Sequence, residues 1–162
     1  MANPRLRKIL AISLAVIAAD QFSKYWLLQH YDMAMRAPVH VNDYFAIVMA
    51  WNRGVSFSML SHSTEWMPWV LTAMAVIISG LLFRLALKSI RSCERVGYAL
   101  VIGGAIGNAI DRVRFGAVAD FFYLHVGDLG WPAFNVADMA ICAGVGLLLL
   151  QAFKPTKALA QN

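Results

Sequence analysis

Charge is scarce in this chain of 162 residues: only 14% are Asp, Glu, Lys or Arg, while 60% are hydrophobic. Soluble domains carry about a quarter charged residues. With a mean hydropathy of +0.60, the chain falls outside that class and a membrane protein is expected. Cysteine is scarcer still. Cys93 and Cys142 fall in separate segments that do not meet, which excludes a disulfide framework. No internal repeat or low-complexity tract divides the chain, so a single domain, residues 1–162, is expected. A basic stripe interleaved with aromatics is also missing, so the net charge of +5 does not signify nucleic-acid binding.

What is present is a series of apolar segments. Arg5, Arg7 and Lys8 precede an apolar run from Ile9 that resembles a signal peptide. The helical pattern continues through Asp20, Lys24 and Trp26, however, for about 20 residues, the length that spans a bilayer. It is read as an uncleaved first helix, about 9–28. Asp20 and Lys24 stand at i and i+4 with the acid first, the favourable order for a pair that neutralises itself near lipid. An uncharged stretch of 18 residues from Trp66 to Phe83, opened by Pro68, predicts a second helix over 67–87. The uncharged parts of the last two segments, Val96–Ile110 and Met139–Phe153, hold 15 residues each. At 1.5 Å per residue neither crosses a hydrocarbon core of about 30 Å. The third helix therefore extends over 96–113, taking in Asp111 and Arg112, and the fourth over 134–153, with Asn135 and Asp138 in its first turns. Between the first two helices lies an outer β-region, about 39–60. There Tyr44–Trp51 and Val55–Met59 read as strands around the turn Asn52-Arg53-Gly54. The expected fold class is a mainly α membrane protein, four transmembrane helices with a small outer (periplasmic) β-cradle.

Nine of the 14 basic residues lie at the N-terminus (Arg5, Arg7, Lys8), in the second connection (Arg84, Lys88, Arg91, Arg95) and at the C-terminus (Lys154, Lys157). A four-helix path puts all three groups on one side, cytoplasmic by the positive-inside rule. Both termini are then cytoplasmic, and Asn52, Asp111, Asp120 and Asp138 face outward.

The candidate chemistry narrows by elimination. Gly103, Gly104 and Gly107 make a small-residue surface for close helix approach; with no strand before them they are in the wrong context for a nucleotide loop. His30, His40, His62 and His125 match no short ligand motif. Cys142, Ser56 and Ser58 lack a base placed to activate them. Asn108, Asp111 and Arg112 share one helix face at i, i+3 and i+4, a spacing that allows a connected hydrogen-bonded set. There remain Asp120 and Asp138, two carboxylates at one end of the bundle. Desolvation and like charge oppose ionising both, so they share a proton. One then takes a proton from water while the other polarises an amide carbonyl. From spacing alone this reading is level with one in which the pair merely balances Arg112 or Arg114.

Resemblance breaks the tie. Gly107-Asn108-Ala109-Ile110-Asp111-Arg112, Val118-Ala119-Asp120-Phe121 and Phe134-Asn135-Val136-Ala137-Asp138 closely resemble the signature blocks of bacterial lipoprotein signal peptidases, signal peptidase II. Asp20-Gln21-x-x-Lys24 and Asn52-x-Gly54 resemble two further blocks. The resemblance implies an aspartic endopeptidase of the bacterial inner membrane that removes the signal peptide from prolipoproteins, cutting before the diacylglyceryl-cysteine. Asp120 and Asp138 match the catalytic dyad. Asn108, Asp111, Arg112, Asn135, Asn52, Gly54, Asp20 and Lys24 match positions that support the site or contact substrate. No cofactor or metal is implied; the partners are the prolipoprotein, membrane lipid and cyclic-peptide inhibitors of the family type. Residues 44–59 are expected to form a mobile cradle closing over the dyad. The competing class, a small four-helix proton-coupled transporter, requires an acid near mid-membrane with access to both sides.

Overall fold

The computed structural model describes residues 3–33, 38–54, 66–127 and 129–153. Four long helices run α1 (Pro4–Tyr25), α2 (Met67–Lys88), α3 (Ser92–Phe115) and α4 (Val136–Ala152), with strands β1 (Val39–Asn42), β2 (Phe45–Asn52), β3 (Val118–Val126) and β4 (Leu129–Gly130) between them. The helix limits differ from expectation where caps act. Asn3 accepts the Arg5 N–H at 2.9 Å and Pro4 opens the first turn, so α1 begins five residues before Ile9. It then runs into a π-helical turn, Trp26–His30. Gly116, at φ 70°, ends α3 in the left-handed conformation that glycine adopts without a Cβ clash. Asn135 caps α4, which begins at Val136 rather than Phe134.

α3 is the central helix and packs against each of the others. Its contact faces are small, so backbones meet directly. A Cβ on Gly103 would lie 2.9 Å from the Ser13 carbonyl oxygen of α1, one on Gly97 3.0 Å from the Gly144 carbonyl of α4, and one on Gly104 would collide with the Ala137 carbonyl. Ser13 Oγ also donates to the Ala99 carbonyl at 2.8 Å. At one end of the bundle Lys8 Nζ reaches Ser92 Oγ at 2.7 Å and Arg91 Nη1 reaches the Gln151 carbonyl at 2.9 Å. The start of α1, the α2–α3 connection and the end of α4 are thus gathered there, with the basic residues of the first two groups; Lys154 and Lys157 lie outside the described residues.

The opposite end carries the sheet, in order β1-β2-β3-β4 and antiparallel throughout. The strand expected at 44–51 is present as β2 and turns at Asn52-Arg53-Gly54. Asn52 Oδ1 accepts the Gly54 N–H at 2.8 Å, and Gly54 sits at φ 90°. The second expected strand, 55–59, lies outside the described residues, as do Ser56, Ser58 and His62. The partner the sequence did not disclose is β3, paired with β2 from Phe45↔Leu124 to Asn52↔Val118. Residues 118–126 therefore form a strand outside the β-region expected at about 39–60. Between Ile47 and Ala50 the β2 side carries one extra residue, a bulge next to the Ala50↔Asp120 pair.

The distribution of polarity is inverted. Asp20, Asp111, Asp120 and Asn135 are among the largest fully buried side chains, whereas Ile77 is 71% exposed, Leu150 63% and Leu14 62%. By length and composition one helix among the described residues, Met67–Lys88, is apolar enough on its own to cross a membrane. α1 and α3 carry charges that they bury against one another, and α4 is short.

Candidate active site

The two aspartates are brought together by the joint between β3 and α4. Phe134 bridges to Phe122: its carbonyl accepts the Phe121 and Phe122 N–H groups at 3.1 and 2.9 Å, and its N–H donates back to Phe122 at 3.0 Å. This clip sets the start of α4 beside β3. A reciprocal capping box follows, in which Asn135 Oδ1 accepts the Asp138 N–H at 3.0 Å and Asp138 Oδ2 accepts the Asn135 N–H at 3.1 Å. The Asn135 amide also faces β3, donating to Asp120 Oδ1 at 2.7 Å. One asparagine thus links both carboxylates, with Asp138 bonded through its main chain and Asp120 through its side chain.

Asn108 on α3 completes the frame. Its Oδ1 accepts from Lys24 Nζ at 3.3 Å and from Asn135 Nδ2 at 3.2 Å, and its Nδ2 donates to Asp138 Oδ1 at 2.8 Å. An ammonium only donates, so the Asn108 oxygen must turn toward Lys24 and its NH₂ toward Asp138. Asp120 is 2% exposed. Burial, opposed by hydrogen bonding from Asn52 and raised further by the charge of Asp138, pushes its carboxyl up to about 6; Asn135 and Lys24 act with Asn52 in the opposite direction. Such a group exchanges its proton just below neutrality, well above the range of an ordinary carboxylate.

Behind the aspartates lies a buried cluster. Lys24 Nζ contacts Asp20 Oδ2 at 2.8 Å and Asp111 Oδ2 at 2.7 Å. The Ala137 N–H donates to Asp20 at 3.0 Å, the Ala119 N–H to Asp111 at 3.2 Å, and Gln21 Nε2 bridges the two acids at 3.2 and 2.9 Å. Two acids surround one ammonium, but four N–H contacts supplement it, as a buried charge requires. The cluster ties α1, α3, β3 and α4 at the level of the aspartates. Gly107 makes room for it, since a Cβ there would stand 2.7 Å from Asp20 Oδ2.

The structure gathers Asp20, Lys24, Asn108, Asp111, Asp120, Asn135 and Asp138 in this continuous network. Asn52 and Gly54 form the adjoining turn, with Asn52 reaching Asp120. The proposed Asn108-Asp111-Arg112 set needs correction: its common partner is Lys24, and Arg112 joins only by donating to the Asn108 main-chain oxygen at 3.4 Å. Among the described residues no ion pair joins Asp120 or Asp138 to Arg112 or Arg114. Arg112 stands beside the Gly54 turn and its charge acts on Asp138, Asp120 and Asp111. Sequence reasoning gave no role to Gln21, or to the main chain of Ala119 and Ala137. Gln21 carried a signal, an amide beside Asp20 in an otherwise apolar helix. The two main-chain donors carried none. His40 and His125 meet edge to face on the sheet, 6.0 Å apart, away from this network, and Cys93 and Cys142 are free thiols.

A bundle whose charges lie inside and whose sheet closes one end defines a class of bacterial membrane enzymes. Two solved structures of bacterial membrane enzymes share it. One has a TM-score of 0.78 and 27% identity, covering 92% of this chain and 94% of that one; the other has a TM-score of 0.76 and 25% identity, covering 96% and 92%. A family model described as signal peptidase (SPase) II matches residues 12–154. Lipoprotein signal peptidases are similar over most of their length: that of Azoarcus sp. (strain BH72) is 45% identical over 86% of this chain and 79% of its own. That of Beijerinckia indica is 38% identical over 96% and 93%, and that of Xanthomonas campestris 43% over 93% and 92%. The chain belongs to the signal peptidase II family. It is accordingly a membrane protease of lipoprotein processing, and the transporter alternative has no support.

Proposed function

We propose that the chain is an aspartic endopeptidase that removes the signal peptide from lipid-modified prolipoproteins, cutting before the diacylglyceryl-cysteine, with Asp120 and Asp138 as its catalytic pair. The observation that carries this is the bridging of two carboxylates by Asn135 at the mouth of an apolar bundle. The pair shares one proton. The ionised member takes a proton from an attacking water, and the protonated member donates to the scissile carbonyl as the tetrahedral intermediate forms. On collapse a proton passes to the leaving amine. Asn108 and Asn135 fix the two carboxylates; the Lys24 cluster fixes Asn108. Asn52 and Arg112, at the open side, are the groups available to hydrogen-bond substrate backbone. Strand β2 with its turn forms the lip of a cradle over the pair, and its closure would exclude bulk water. Cyclic peptides that inhibit the family would occupy the same opening.

Productive chemistry needs one proton on the pair, and the Asp120 carboxyl titrates at about 6. Cleavage of a lipid-modified prolipoprotein should therefore show kcat/KM falling as pH rises through about 6, approaching tenfold per unit beyond it. A profile flat across roughly pH 5 to 8 would contradict a shared proton at Asp120.

The inverted polarity supports four membrane-crossing helices in the inner membrane, the whole chain forming one membrane domain. The basic end faces the cytoplasm and the sheet faces outward. In a chain lacking Cys93 and Cys142, Asn3→Cys and Ala160→Cys should both resist a membrane-impermeant thiol reagent in intact cells and react after permeabilisation. Labelling of either in intact cells would reverse the orientation and put the aspartates in the wrong compartment.

A further inference from the structure

We propose that Gln21 is a positioning residue for the aspartate pair, fixing the distance between Asp120 and Asp138 from behind; this rests on the peptidase function proposed above. Each aspartate follows an alanine whose main-chain N–H is tied to the buried cluster. The Ala119 N–H, on β3, donates to Asp111 Oδ2 at 3.2 Å, and the Ala137 N–H, in the first turn of α4, donates to Asp20 Oδ1 at 3.0 Å. That second bond satisfies a donor which the first turn of a helix cannot satisfy itself. Asp111 thus anchors the chain one residue before Asp120, and Asp20 the chain one residue before Asp138. The spacing of the two anchors sets the spacing of the two aspartates.

Two side chains span the anchors, and they differ in kind. Lys24 Nζ sits between Asp20 Oδ2 and Asp111 Oδ2, but an ammonium is a point charge with rotatable donors, and it attracts both acids without directing them. The Gln21 amide is planar. Its Nε2 donates to Asp111 Oδ1 at 2.9 Å, to Asp20 Oδ2 at 3.2 Å and to the Gly107 carbonyl at 3.3 Å, while its Oε1 accepts from Arg114 Nη1 at 3.3 Å. Three acceptors on one side and a guanidinium on the other leave the amide one orientation. Among the described residues Gln21 is the donor to Asp111 Oδ1, the oxygen that neither Lys24 nor Ala119 holds. Without it the Asp111 carboxylate can turn about its Oδ2 contacts and carry Ala119, and with it Asp120, away from Asp138. Reacting groups displaced by about 1 Å lose roughly 10²-fold in rate, so a substitution that leaves the charge of the cluster untouched still reaches the chemistry.

The test measures kcat and KM of the purified full-length protein on a lipid-modified prolipoprotein across pH, with Gln21→Leu and Gln21→Asn beside the parent. Leucine removes the donors at similar size; asparagine keeps the amide but is one methylene too short to reach both acids. Gln21→Leu should lower kcat by about 10–100-fold with KM little changed, since the partners of Gln21 are the cluster behind the aspartates. The charge of Asp138 raises the Asp120 carboxyl, and Lys24 and Arg112 are the cations that act on it. A wider pair weakens the repulsion from Asp138, so the fall of kcat/KM with pH should begin below the parent value of about 6 in both variants. Gln21→Asn should show the smaller loss of kcat. A loss confined to KM, an unchanged kcat in folded Gln21→Leu, or rate losses that follow the folded fraction with the pH limb in place would each overturn the assignment. If Gln21→Leu does not fold, Gln21→Asn decides on the same readouts. Failure of the unsubstituted protein to cleave would overturn the peptidase reading itself, and this role with it.

Discussion

Asp120→Asn and Asp138→Asn each reduce cleavage by roughly 10²–10⁴-fold, the expectation for losing one member of a proton-sharing pair, yet their effects on stability diverge. Asp120 is buried and its carboxyl is raised from 3.8 to about 6. A folded-state carboxyl above its unfolded value binds its proton more tightly in the folded protein, so stability declines as pH rises from about 4 to about 6 and then levels. At pH 7 the ionised group costs about 3 kcal/mol. A neutral amide at position 120 removes that cost and keeps the Asn135 hydrogen bond while giving up the one from Asn52, about 1–3 kcal/mol, so Asp120→Asn should melt close to the parent temperature. Asp138 differs because both its oxygens accept N–H groups, from Asn108 and from the Asn135 main chain. In Asp138→Asn one oxygen becomes an NH₂ facing a donor, and Lys24 prevents Asn108 from flipping. A loss of about 1–3 kcal/mol follows. Thermal melting and turnover of the two variants, measured together, check the account. Near-normal turnover in either would return that aspartate to a purely structural role, Asp138 as a helix cap.

Lys24→Met should be the most damaging single substitution for stability. Lys24 is 2% exposed and supplies, among the described residues, the one cation in contact with Asp20 and Asp111, both fully buried. Removing it leaves two carboxylates to Gln21 and two main-chain N–H groups. Loss of one partner from a buried ionic cluster costs roughly 3–5 kcal/mol. Activity should fall as well, since Asn108 would lose the donor that orients it toward Asp138. Asp111→Asn in the same chain should restore part of the stability, with a coupling of about 0.5–3 kcal/mol in the double-mutant cycle. Additive effects would show that Lys24 does not act on Asp111. Arg112→Ala belongs to another class: Asp111 keeps its Lys24 contact, so that variant does not strand a buried charge.

Much of this arrangement was legible because charge inside an apolar chain is so constrained. Asp20 and Lys24 announced their pairing by i,i+4 spacing, and the short uncharged runs before Asp111 and after Asp138 put polar groups at one end of two antiparallel helices. Gly103, Gly104 and Gly107 read correctly as contact surface. What escaped was long-range. The spacing rule that pairs Asp20 with Lys24 cannot see Asp111 across the α1–α3 interface, where Lys24 also reaches it. Strand β3 escaped because Val118–Phe122 has no period-two alternation: both its faces are covered, one pattern a sequence cannot separate from a buried loop or helix. Pairing with β2 and the neighbouring bulge hold Asp120 in place.

The most direct measurement is the mass of the products formed when the purified protein meets a lipid-modified prolipoprotein, with Asp120→Asn and Asp138→Asn run alongside. The account predicts two products from the parent protein, a signal peptide ending at the residue before the modified cysteine and a lipoprotein beginning with that cysteine, and intact precursor from both variants. Intact precursor with the parent protein, a cut elsewhere in the chain, or the same two products from either variant would contradict it.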